Sequence, residues 1–383
     1  MNINELPFDT EQMIASLRTW VEAESPSFDA AAVNKVVDLA AYDLASLGAT
    51  IERVPGRFGF GDILRATLSS SSSEDVNDRS GVVICCHADT VHPLGSLQTM
   101  PYRREGNKLF GAGALSCKAG ILICLEAIRQ LARSDTQVQL PITFLLIPDK
   151  ESGCPSSREF IEATLRQAKY ALVPEPAAVG GGVMLGRHAV LRFDLDVKVD
   201  TVHEIKASSL NDVRSPIYEM ARHIIEIEEM SSEDCSFSVG SIRSGQWANF
   251  AEKCLAEVVS EARTSAAVAE SSKKMLALNS PNPDSGLHVN RSMVLPLWEP
   301  DARCHKLYDV AVKAGELLGL GLRCSVAGGG SIGNIAGAMG IATLDGLGAR
   351  GCGPGARSRA EYLEIDSLSE RGKLMAALLS ALT

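Results

Sequence analysis

The sequence contains no long basic run, and no apolar stretch approaches the about 18 residues needed to cross a membrane. Its formal net charge is -10. Together these features exclude nucleic acid and anionic membrane as the main partner and leave a small molecule or peptide as the expected ligand. The N-terminal segment lacks the basic stretch and apolar core of a secretory leader, so a cytoplasmic protein is expected. A disulfide framework is missing too. The 10 cysteines are scattered through 383 residues, and Cys85 and Cys86 sit side by side in an apolar run, as reduced, buried thiols do. No solenoid-type repeat occurs.

What is present is a chain with 45% hydrophobic residues, long enough for a large core and for two domains. Apolar positions recur at helical spacing over 11–22 and 31–47, with Gly48 placed as a C-cap, and a strand is expected from Ala49. The polar segment Ser69 to Ser80 reads as a surface connection. Gly81 to Cys86 is apolar throughout and suits a strand covered on both faces. A helix from about Ala119 to Ala132, a strand over Ile142 to Ile147, a helix over Ser156 to Ala168 and a strand over Tyr170 to Val173 follow. That alternation predicts an α/β layer fold with a mixed sheet, whose ligands gather beyond the carboxyl ends of the strands. Three polar clusters lie there: His87-Ala-Asp89, Pro148-Asp-Lys-Glu151 and Pro174-Glu175-Pro176. From Arg187 the pattern changes to antiparallel-type strands over Leu191 to Val199, Phe237 to Ile242 and Leu255 to Val259, with a helix over Asp212 to Met230. An α+β domain inserted at 187–298 is therefore expected, between 1–186 and 299–383 of the α/β domain.

His87-Ala-Asp89-Thr-Val91, Gly111-Ala-Gly113 with Lys118-Ala-Gly120, Pro148-Asp-Lys-Glu151-Ser-Gly153, Pro174-Glu175-Pro176 and Gly328-Gly-Gly-Ser-Ile-Gly-Asn334 occur in one order along nearly the whole chain. Together they resemble the two-zinc metallopeptidase superfamily that includes acetylornithine deacetylase, succinyl-diaminopimelate desuccinylase and bacterial glutamate carboxypeptidase. The resemblance implies a zinc-peptidase-like catalytic domain with an inserted lid, through which a homodimer forms. It makes His87 and Glu175 ligands of one metal and Glu151 a ligand of the other, with Asp89 orienting the His87 ring. Gly329, Gly330, Ser331, Asn249 and Arg357 fall at positions expected to bind substrate.

The departures from that pattern fall on the chemistry. Ser116, followed by Cys117, stands where the resemblance calls for a carboxylate bridging both metals, and a neutral hydroxyl is a poor bridge. Lys150 replaces the glutamate that acts as general base, Arg357 a histidine ligand and Ile332 a frequent aspartate. The lid histidine aligns with Glu204, so its role passes to His203 only with a shift of one residue. At most one weakly held zinc, or none, is expected. Lys150 and Arg357 also bring positive charge to the place where zinc is lost.

Three functions compete at this stage. The first is hydrolysis of an amide or peptide C–N bond in a small N-acyl amino acid or related metabolite, at an impaired or altered metal site. The second is metal-free chemistry, with Ser116, His87 and Asp89 as nucleophile, base and orienting acid. Cys117 is a rival nucleophile there, although a buried, inert thiol is the expectation. The third is a non-catalytic binding subunit in which Lys150 and Arg357 hold an anion.

Overall fold

The computed structural model describes residues 3–69, 81–134, 136, 138–199, 215–245, 251–279, 285–352 and 361–383. It divides into two compact units: Met1–Gly186 with Trp298–Ala327 and Ser331–Thr383, and Arg187–Leu297 with Gly328–Gly330.

The first unit is built on a mixed sheet of eight strands. Their order is Thr50–Val54, Ile63–Leu68, Ile142–Ile147, Gly81–His87, Ala168–Val173, Ala342–Asp345, Val183–Arg187 and Cys324–Ala327. Gly81–His87 runs parallel to both of its neighbours, and Ala342–Asp345 continues the parallel block. Thr50–Val54 and Ile63–Leu68 are antiparallel. Residues 82–87 are all buried, which is why this strand has no polar alternation. The helix Ala119–Arg133 buries most of its length, including Ile121, Leu122, Ile123 and Leu125. The helix Asp366–Ala381 adds Leu374, Met375, Leu378 and Leu379 to the same apolar cluster.

The second unit is a four-stranded antiparallel sheet in the order Cys235–Ser244, Lys253–Ala262, Ala189–Val199 and Ser285–Leu295. Lys253–Ala262 alternates between buried and more open positions. Its buried side chains meet Met220 and Ile227 of the helix Pro216–Glu229 and Met275 of the helix Ser265–Leu276. Gly328–Gly330, which sequence order assigns to the flanking α/β domain, groups with this unit instead. Arg187 Nη1 donates to the carbonyls of Gly328 and Gly329, both at 3.3 Å, and the Gly329 amide donates to Glu261 Oε1 at 3.1 Å.

Arg371 fastens the carboxyl-end loops of the first unit. It is fully buried, and its guanidinium donates to the carbonyls of Gly348 and Gly181, both at 2.9 Å, and Gly346 at 2.5 Å. Burial pulls its pKa down to about 10, yet it remains charged at neutral pH. Arg371→Met strands three carbonyls and should cost about 3 kcal/mol. An unchanged urea midpoint in this variant would contradict that role.

Candidate active site

Three adjacent parallel strands deliver the polar cluster. Gly81–His87 ends on His87, Ile142–Ile147 leads into Asp149, Lys150 and Glu151, and Ala168–Val173 leads into Glu175. Close backbone packing seats Glu175. A Cβ on Gly120, at the start of its helix, would lie 2.1 Å from the Pro174 carbonyl oxygen, and one on Gly348 would lie 2.7 Å from that of Glu175. The Gly348 amide donates to the Glu175 carbonyl at 2.8 Å. Only glycine lets these chains approach so closely.

Asp89 organises the cluster. It is fully buried, and its carboxylate accepts from the Ser27 hydroxyl at 2.6 Å, the Lys150 amide at 3.1 Å and the Glu151 amide at 3.0 Å. It also meets His87 Nδ1 at 3.2 Å, where its own carbonyl lies at 3.0 Å. Both partners are acceptors, so Nδ1 carries a proton and Nε2 points away from Asp89. His87 Nε2 is buried, makes no hydrogen bond among the described residues and lies 3.5 Å from Glu175 Oε1. Burial and the Lys150 ammonium both oppose charging of the ring. The Asp89 hydrogen bond and the negative charges of Glu175 and Asp89 outweigh them, and the His87 pKa is raised.

Lys150 turns back into the same space. Its ammonium lies 3.1 Å from Glu175 Oε1 and 3.4 Å from Glu151 Oε1. The side chains of Lys150, Glu151 and Glu175 are 7%, 4% and 10% exposed, so one buried cation is shared by two buried carboxylates. Such burial is tolerable only because the charges are paired.

The fit of a metal can be judged from this geometry. Two ligands about 2.1 Å from a tetrahedral zinc lie about 3.4 Å apart, close to the His87–Glu175 separation of 3.5 Å. The oxygen that would bind is the one already held by Lys150. A dication about 4 Å from an ammonium is repelled by about 8 kcal/mol at an effective dielectric constant of about 20. A complete four-ligand zinc site contributes about 10–16 kcal/mol. Two ligands against that repulsion leave little, and among the described residues no group of three or more His, Cys, Asp or Glu side chains comes together to hold a metal. The residues do not fit a two-metal centre.

Ser116 and Cys117 lie in the π-helical turn Ala114–Lys118. The amides of Leu115 and Ser116 both donate to Glu361 Oε1 at 2.9 Å, while Glu361 Oε2 lies 3.2 Å from His92 Nε2. His87 makes no hydrogen bond to Ser116, its ring contacts being Asp89 and Glu175. The nucleophile–base pair of the triad reading is therefore not formed. Burial raises the Cys117 pKa and keeps it a thiol. Lys118 is buried and donates to the Ala23 carbonyl at 2.9 Å.

Several groups of the glycine-rich segment are already taken. Besides the Gly329 amide already held by Glu261, the Ser331 hydroxyl caps the helix Ile332–Ala338 by accepting from the Gly333 amide at 3.0 Å. Ser331 is thus a helix cap rather than an available substrate contact, and Ile332 is 1% exposed in the core. His203, Glu204, Asn249 and Arg357 lie outside the described residues. Sequence reasoning missed Ser27, His92 and Glu361. Only Glu361 carried a local signal, four residues beyond Arg357 in the same segment.

Because Asp89 holds two backbone amides, one hydroxyl and one imidazole, Asp89→Asn should cost about 3 kcal/mol, and Ser27→Ala, which removes one donor, about 1 kcal/mol. Chemical denaturation of the two variants measures the order, and a Ser27 variant as unstable as the Asp89 variant would show that the carboxylate is not the hub.

Comparison with known proteins agrees with this architecture. The family model described as Peptidase family M20/M25/M40 matches residues 83–381. Carboxypeptidase G2 of Pseudomonas sp. (strain RS-16) is 24% identical over 379 residues, covering 96% of this chain and 88% of that protein. The di-peptidase Dug1p of Saccharomyces cerevisiae superposes with a TM-score of 0.74 at 14% identity, over 99% of this chain and 97% of its own. A dinuclear metal binding peptidase of the M20 family from Bacillus subtilis does so with a TM-score of 0.62 at 15% identity, over 97% of each chain. With its mixed α/β sheet and its strand-end cluster of His87, Asp89, Glu151 and Glu175, the chain belongs to the M20/M25/M40 peptidase family.

Proposed function

We propose that this chain hydrolyses an amide or peptide C–N bond in a small N-acyl amino acid or related metabolite, at the cluster of His87, Asp89, Lys150, Glu151 and Glu175. The observation that carries the reading is the family match over residues 83–381 together with the convergence of those side chains at three strand ends. Carboxypeptidase G2, at 24% identity over nearly the whole chain, supports the reaction class.

In the proposed reaction Glu151 takes a proton from the attacking water as the new C–O bond forms and returns it to the leaving nitrogen as the C–N bond breaks. The Lys150 ammonium faces the oxygen of the scissile carbonyl and stabilises the charge that develops there. His87, held on Nδ1 by Asp89, keeps Nε2 beside Glu175 Oε1. Zinc plays no part in these steps, and any zinc bound at His87 and Glu175 is single and weak. The same reading carries a homodimer formed through the inserted domain.

A second reading, a binding subunit without turnover, is favoured by the pairing of Lys150 with both carboxylates, which occupies the ammonium before substrate arrives. Hydrolysis of a panel of N-acyl amino acids and dipeptides, with and without chelator, separates the two. The proposal expects chelator-resistant turnover that falls by about 10²–10⁴ in Glu151→Gln. Binding of panel members without any turnover would select the second reading.

A further inference from the structure

We propose that Lys150 is the resident cation of this site and excludes metal from it, and that removing its charge lets the His87–Glu175 pair take up a single zinc. The inference goes beyond the hydrolytic reading and does not depend on which bond, if any, is cleaved.

The Lys150 ammonium joins two carboxylates from different strand ends, at 3.1 Å from Glu175 Oε1 and 3.4 Å from Glu151 Oε1, which is what a metal ion between them would do. Its position is fixed from below, because the amides of Lys150 and Glu151 are both held by the buried Asp89 carboxylate. The loop therefore cannot swing the lysine away without breaking that grip.

His87 supplies the second observation. Its Nε2 is buried, has no hydrogen-bond partner among the described residues and lies 3.5 Å from the oxygen that Lys150 holds. A buried imidazole nitrogen at that distance from a carboxylate oxygen is a pair of ligands at zinc spacing, with an ammonium beside it. Once the ammonium is gone, Glu151, whose Oε1 lies 3.4 Å from it, is the carboxylate that can turn in as a third ligand, the number a catalytic-type zinc site requires. Asp89 already orients the ring as a ligand histidine must be oriented.

The test uses zinc chloride alone as the probe. Wild type, Lys150→Ser, Lys150→Arg and Lys150→Ser/His87→Ala are purified without chelator, equilibrated with zinc, desalted and analysed for metal by mass spectrometry. Wild type and Lys150→Arg should retain less than about 0.1 zinc per chain and Lys150→Ser about 1, falling back in the double variant. One or more zincs per chain in wild type or in Lys150→Arg overturns the proposal, as does a folded Lys150→Ser that retains none. If Lys150→Ser is insoluble alone, refolding with zinc chloride decides the matter. Recovery of soluble, zinc-loaded protein supports the proposal, and its failure with zinc present overturns it. Because no substrate enters the measurement, its outcome is separate from that of the hydrolysis panel.

Discussion

One buried ammonium between two buried carboxylates is the constraint on which the strand-end cluster depends. Glu151 and Glu175 come from different strands, are almost wholly removed from water and would repel each other without a cation. Lys150 supplies that cation from within the chain, and Asp89 fixes where it can reach by holding the backbone amides of Lys150 and Glu151. The sheet order that sets Gly81–His87 between Ile142–Ile147 and Ala168–Val173 brings these residues to one edge. The tight packing at Gly120 and Gly348 holds Glu175 in place there.

The parts of the fold legible in the sequence are those with a local cause. Gly81–His87 is recognisable as a strand because burial on both faces makes it apolar throughout, and Ala119–Arg133 because a buried helix of that length leaves a strong pattern. Ser285–Leu295 was not anticipated. It is an edge strand with a register shift between Arg291 and Met293, so its alternation is broken where a reader would look for it. The grouping of Gly328–Gly330 with the second unit arises from Arg187 and Glu261, contacts across more than sixty residues that no local pattern reveals.

The candidate site divides in the same way. His87, Asp89, Glu151 and Glu175 follow from motif order, and Lys150 stands out as a departure at a known place. That its ammonium reaches both carboxylates is a matter of rotamer and burial that only coordinates express. Ser27 contributes through a hydrogen bond to Asp89 across 62 positions and has no signature in sequence, while Glu361, whose only local signal is its place four residues beyond Arg357, acts on amides 245 and 246 positions away. The Ser116–His87 hydrogen bond of the triad reading is not formed, because His87 Nδ1 is held by Asp89 and its Nε2 lies beside Glu175.

Within a family that includes a dinuclear metal binding peptidase, this chain balances its strand-end carboxylates with a side chain. The most direct measurement is an anomalous-scattering map, recorded at the zinc absorption edge, of wild-type crystals soaked in zinc chloride. The resident-cation account predicts Lys150 density between Glu151 and Glu175 and no anomalous peak beside His87 Nε2. A peak at coordination distance from His87 Nε2 and Glu175, with Lys150 displaced, would contradict it.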